Sequence, residues 1–161
     1  MKSHFTLRRR FMPALAAFAA LPSARANAGP PLIEVWKAPT CGCCKDWVRH
    51  LEANGFRTQV NESGNSAMRA RLGIDMQFGS CHTALAGRYA LEGHVPAREI
   101  HRLLREAPPR AIGLAVPGMP IGSPGMDGPE YGSRNDPFDV LLLHAGGKAT
   151  VYASYNRKAA A

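Results

Sequence analysis

The chain has no apolar run long enough to cross a bilayer, no internal repeat, and no basic stripe interleaved with aromatics. The longest apolar stretch, Phe11 to Leu21, is about half of the roughly 20 residues a spanning helix needs, so a membrane anchor is not expected. Aromatics make up only 7% of the 161 residues, and nucleic-acid binding is not supported. Cysteine is scarce as well: there are four, and a chain of this length does not need them as staples. Three of those four nevertheless fall within Cys41-Gly42-Cys43-Cys44.

The first 28 residues read as an export signal. A basic stretch (Lys2, Arg8, Arg9, Arg10) precedes the alanine-rich apolar run, and Ala26-Asn27-Ala28 has the form of a cleavage site. Arg8-Arg9-Arg10-Phe11-Met12 resembles the twin-arginine export pattern; an ordinary secretory leader is the alternative. The twin-arginine route would allow folding, and metal loading, before export. Either route implies a periplasmic location. Without the leader, five of the 20 Lys and Arg residues go and 15 remain against 12 Asp and Glu, about +3. Most of the net positive charge of +8 thus belongs to the segment removed. Arg69, Arg71, Arg98, Arg102 and Arg105 are expected on solvated helix faces. Residues 29–161 are a single domain by length, large enough to bury a core without disulfides.

The pattern along that domain alternates between strand and helix. Leu32 to Ala38 reads as a strand, and Thr40 is placed to cap a helix from Gly42 or Cys43 to Ala53, ended by Asn54-Gly55. Cys44, Trp47, Val48 and Leu51 form that helix's apolar seam. A second strand is expected over Phe56–Asn61 and a short helix over Ser66–Leu72. Thr83–Ala86 and Tyr89–Leu91 flank Gly87-Arg88 as a hairpin. A helix opening at Pro96 runs to Glu106, where Pro108-Pro109 ends it. Val140–His144 and Thr150–Tyr155 form a last hairpin about Gly146-Gly147. Pro117 to Pro137, rich in Gly and Pro, has no periodicity and reads as a long loop of the kind that is functional or disordered.

Strand, cysteines at a helix mouth, then strand is a thioredoxin-like opening. Backbone N–H groups at a helix N-terminus stabilise a thiolate. Cys41 and Cys44 have C-x-x-C spacing, with Cys41 as the exposed nucleophile and Cys44 as the resolving thiol. Cys43 does not suit that use, because a third thiol beside a working dithiol offers competing disulfides. Three thiolates converging with Cys81 suit a soft ion such as Cu(I). Zinc is the second choice, held by four thiolates or by three and an imidazole.

Further donors lie along the chain. Ser80-Cys81-His82-Thr83 puts a thiol beside an imidazole at the start of a strand. Successive strand residues point to opposite faces, so both reach one site only if the strand is irregular there. His94 precedes a helix, where its ordinary use is a cap or loop hydrogen bond. Met119 and Met126, on the Gly/Pro loop, carry thioethers that suit Cu(I), although methionine also fills gaps in cores. Met68 and Met76 are expected in the core. Trp47 is expected to pack and to shield the site from water. His50, His101 and His144 are given no site role.

Taken in order, Cys41-Gly42-Cys43-Cys44 with Trp47, Ser80-Cys81-His82-Thr83, Glu92-Gly93-His94-Val95-Pro96, Gly113 to Pro120 and Gly122-Ser123-Pro124-Gly125-Met126 resemble one family. It is domain-of-unknown-function family 411, which includes periplasmic CopG-type copper-resistance proteins. The resemblance spans about Leu32 to Tyr155. It implies an α/β, thioredoxin-like single domain with a mixed sheet and flanking helices, export, copper association and thiol redox chemistry, without fixing a reaction. Copper-handling periplasmic or membrane proteins are the partners it suggests. Thioredoxin-like oxidoreductases set a cis-proline against their dithiol. Here Phe78-Gly79-Ser80 precedes Cys81, and the nearest downstream proline is Pro96. If Cys81 occupies that place, a fourth thiol faces the cluster.

The expected function is therefore exported copper binding, in resistance, storage or transfer. Cys41, Cys43, Cys44 and Cys81 hold one Cu(I) ion or several with bridging sulfurs; His94, His82, Met119 and Met126 are further candidates. The alternative is a thiol–disulfide, or copper-linked, oxidoreductase using Cys41 and Cys44. A third reading is a domain with two structural disulfides.

Overall fold

The structure, a computed structural model, describes residues 29–157. The export-signal reading of residues 1–28 lies outside the described residues. The chain runs β1 (Leu32–Lys37), α1 (Gly42–Ala53), β2 (Arg57–Asn61), α2 (Ser66–Arg71), β3 (His82–Ala86), β4 (Tyr89–Glu92), α3 (Ala97–Glu106), β5 (Ala111–Ala115), β6 (Phe138–His144) and β7 (Lys148–Tyr155). Short 3-10 turns sit at Met76–Phe78 and Pro129–Tyr131.

All seven strands form one mixed sheet in the order β2-β1-β3-β4-β5-β6-β7. The pairs β1/β2 and β4/β5 are parallel; the other four neighbouring pairs are antiparallel. This is an α/β fold of one domain. The block β2-β1-β3-β4 with α1 and α3 is compatible with the thioredoxin-like expectation. The last three strands widen the sheet beyond it.

Alternation along β1 turns Ile33 and Val35 inward, where they meet Trp47 and Leu51 of α1 and Ile100 and Leu103 of α3. Leu91, Leu114, Val116 and Val140 complete this core. A smaller cluster of Ile74, Ala90, Ala115 and Leu143 is joined by the half-buried Phe78. Strand β4 is buried at every position, as a central strand covered on both faces must be.

Most expected elements stand within a residue or two of their places. Strand β5 was not anticipated. Its sequence, Ala-Ile-Gly-Leu-Ala, has little β-branched character, and it is held by pairing with β4 and β6 rather than by its own propensity. Thr40 does not cap α1: the N-cap is Cys41, and no side chain bonds the first turn. Pro96 stands at the N-cap of α3, one place before the first turn. Two burial expectations are also corrected. Met76 is 74% exposed rather than core. Arg69, expected on a solvated face, is buried because it meets the carboxylate of Glu92 inside the protein.

Candidate metal centre

The turn after β1 delivers three cysteines to the mouth of α1. Cys41 is the N-cap, and Cys43 and Cys44 lie in the first turn, which carries no acidic residue. The free N–H groups of that turn therefore favour negative charge at the sulfurs. Cys41 and Cys44 are joined in a disulfide; Cys43 and Cys81 are free thiols. The structure thus shows the oxidised state of the C-x-x-C pair.

Cys81 faces this cluster from the end of the Gly79-Ser80 segment. Its Sγ is 3.5 Å from Cys44 Sγ and 3.8 Å from Cys43 Sγ, and Cys41 Sγ is 3.5 Å from Cys43 Sγ. The thiol thus lies across from the dithiol, with no cis peptide bond among the described residues. Burial, reinforced by Cys43, pushes the Cys81 thiol up to about 12. It therefore stays protonated near neutral pH, and a metal binding there must displace that proton.

Two imidazoles complete the group. Cys81 lies just before β3 begins at His82, so the strand's alternation does not yet separate them, and Cys81 Sγ is 3.3 Å from His82 Nδ1. His94 Nε2 is 3.1 Å from Cys81 Sγ. The other nitrogen of His94, Nδ1, donates to the Pro124 carbonyl at 2.8 Å. That bond fixes the tautomer and leaves the Nε2 lone pair turned to the thiol, as in many metal-ligating histidines. Burial lowers the pKa of both rings, so both are neutral and able to act as ligands near pH 7. His82 Nε2 is buried without a partner.

Ligand atoms of Cys41, Cys43, Cys44 and Cys81 all lie within 4.8 Å of one another, as do those of Cys81, His82 and His94. Cys81 belongs to both groups. Thiolate sulfur with imidazole nitrogen is a soft donor set that fits copper as Cu(I), and zinc second.

Trp47 closes the floor. It is fully buried, packs against His82 with the rings tilted by 36° and 4.2 Å between centroids, and donates its indole N–H to the Val95 carbonyl at 2.9 Å. The Gly/Pro loop lies over α1. At Gly125, with φ +83°, an added Cβ would stand 2.6 Å from Trp47 N and 2.7 Å from Cys43 O, so only glycine seats the loop there. Met126 is buried, and its sulfur accepts from the Tyr131 hydroxyl at 3.4 Å. Met119 is 52% exposed. The structure thus brings together the four cysteines, His82 and His94, while the two thioethers are placed on the covering loop. His50 and His101 do structural work: His50 Nε2 accepts from the Ala97 N–H at 3.1 Å, and His101 stacks on Phe56.

Sequence reasoning passed over Glu92 and Arg69, which flank this centre. The signal for Glu92 was the Glu92-Gly93-His94 motif itself, read for its histidine alone; Arg69 carried no local signal.

The family described as a protein of unknown function, DUF411, matches residues 78–126. Two solved structures named copper resistance protein CopG, Form 2 and Form 1, are 46% and 45% identical to this chain. Each match covers 78% of this chain and 98% of the other, with a TM-score of 0.71. This chain belongs to the DUF411 family. No curated protein matches the chain significantly. The stretch matched to DUF411 holds Cys81, His82, Glu92, His94, Met119 and Met126, whereas the Cys41–Cys44 cluster lies upstream of it. The two halves of the candidate centre therefore come from different parts of the chain and meet only in the fold. None of the described helices is long and apolar enough to cross a membrane.

Proposed function

We propose that this DUF411 protein is exported to the periplasm and binds copper as Cu(I), serving copper resistance by storing or transferring the ion. The observation that carries the reading is the convergence of four cysteine sulfurs within 4.8 Å, with His94 Nε2 held against Cys81 by the Pro124 carbonyl. Reduction of the Cys41–Cys44 disulfide adds two thiols to the free Cys43 and Cys81, and the four are enough for one ion or for several sharing sulfurs. Cys41, Cys43, Cys44 and Cys81 are the principal ligands. His94 and His82 are neutral donors beside them, and Met119 and Met126 are thioethers on the loop above. The likeness to structures named copper resistance protein supports copper as the metal. The N-terminal basic and alanine-rich segment supports export. Titration of reduced protein with Cu(I) against a competing chelator tests the reading. Binding no tighter than that of a Cys41→Ser/Cys44→Ser variant would remove it.

One observation favours a second reading. The Cys41–Cys44 disulfide has C-x-x-C spacing at the mouth of α1, the placement of a thiol–disulfide oxidoreductase's redox pair. Turnover of a model disulfide by metal-free protein decides it; a rate no greater than that of free dithiol rejects it.

A further inference from the structure

Glu92 ends β4 with no exposed surface. Its Oε1 accepts from the Ser80 N–H at 2.7 Å and from Arg69 Nε at 2.8 Å, while Oε2 accepts from the Thr83 hydroxyl. Arg69 in turn donates Nη2 to the Ser80 carbonyl, and the Asn65 amide reaches that same carbonyl at 3.2 Å. Both backbone groups of Ser80 are therefore held by buried side chains, and the next residue is Cys81.

The carboxylate is tied equally to the other branch of the site. Two residues after Glu92 comes His94, with Gly93 at φ +68° between them. A side chain at Gly93 would run into Ser80, so the two branches pack directly together. The Gly93 N–H also donates to His82 O at 2.9 Å. Glu92 thus bonds directly to the residue before Cys81 and stands two residues before His94, and Cys81 Sγ and His94 Nε2 are 3.1 Å apart. Stability alone does not account for it: a buried ion pair gains little over well-packed apolar side chains of the same volume.

We propose that Glu92, with Arg69 as its counter-charge, is a positioning residue that sets the placing of Cys81 against His94 and the Cys41–Cys44 cluster. It acts through the Ser80 backbone and touches no metal-binding atom. The proposal rests on the copper-binding reading for its purpose, but its geometry can be tested without copper.

Two variants test it: Glu92→Gln, which keeps the shape, and Glu92→Leu/Arg69→Met, which removes both charges together. In oxidised protein, Cys43 and Cys81 are alkylated with iodoacetamide and each rate is followed by peptide mass spectrometry, alongside a thermal melt. The expected result is a folded protein in which Cys81 reacts several-fold faster relative to Cys43. In reduced protein, Cu(I) affinity falls about 10- to 100-fold, the usual loss when a residue supporting a ligand is changed. An unchanged Cys81-to-Cys43 ratio in a folded variant overturns the proposal. So does loss of folding in both variants, which would make Glu92 a stability residue. If the parent protein fails to bind Cu(I), the copper reading fails, and the alkylation ratio still decides the role of Glu92.

Discussion

Gly125→Ala should damage both the fold and the site, by an amount the geometry fixes. The new Cβ would lie 2.6 Å from Trp47 N and 2.7 Å from Cys43 O, against about 3.4 Å for ordinary contact. Both obstructing atoms are backbone atoms of α1, so neither can swing aside, and the loop must lift by roughly 0.7–0.8 Å. Alanine at φ +83° adds about 1–2 kcal/mol of conformational cost. Lifting the loop also stretches the bond from His94 Nδ1 to the neighbouring Pro124 carbonyl, worth about 0.5–1.5 kcal/mol. With the residual clash, the total is roughly 2–4 kcal/mol. For a domain of this size, that lowers Tm by roughly 6–20 °C. Gly118→Ala is the control, since Gly118 has φ +69° but nothing within 4 Å of an added Cβ. It should show the conformational cost alone. Thermal melts of the two metal-free variants, followed by circular dichroism, make the comparison. If Gly125→Ala melts no lower than Gly118→Ala, the loop does not rest on the helix mouth as described. With His94 released from its carbonyl, Gly125→Ala should also bind Cu(I) more weakly.

Two further outcomes are expected. Burial lowers the pKa of His50, and its Nε2 accepts from Ala97 N–H, so the folded state resists a proton that the unfolded chain takes up near pH 6.5. The contribution is intact above about pH 6.5 and is lost as pH falls below it; Tm of metal-free protein should therefore fall less steeply between about pH 7.5 and 5.5 in His50→Gln than in the parent, and equal slopes would contradict this. Trp47→Phe leaves the Val95 carbonyl without its donor and opens space beside His82, for a loss of roughly 2–4 kcal/mol in urea denaturation; a loss below about 1 kcal/mol would mean that the indole bond is not made.

How much of this was legible in the sequence depended on which forces set each feature. Helix α1 and its cysteines could be read because the seam of Cys44, Trp47 and Leu51 repeats at helical spacing, and all three are buried. The hairpin of β3 and β4 was announced by Gly87-Arg88. Strand β5 carried no local signal, because Gly113 and the terminal Ala111 and Ala115 are held in the sheet by partners distant in sequence. His82 was hard to place because alternation argues against a neighbouring pair sharing a site, whereas Cys81 lies just outside the strand. The support for His94 was beyond sequence reasoning: its partner is a backbone carbonyl, an atom every residue has. Arg69 and Met76 were misread for related reasons. A charge is placed on the surface until its buried partner is known, and a thioether in the core until the fold leaves it outside.

The central claim is that four thiols, supported by His94, form a Cu(I) site once the Cys41–Cys44 disulfide is opened. Its most direct test is an anaerobic titration of fully reduced protein with Cu(I) against a chelator, run beside Cys81→Ser and Cys41→Ser/Cys44→Ser. Cys81 lies 3.1 Å from His94 Nε2, 3.5 Å from Cys44 Sγ and 3.8 Å from Cys43 Sγ, so its loss removes the donor common to both ligand groups. The account predicts tight binding by the parent and a loss of about tenfold or more in each variant, equal to about 1.4 kcal/mol or more. Parent and variants competing equally with the chelator would contradict it.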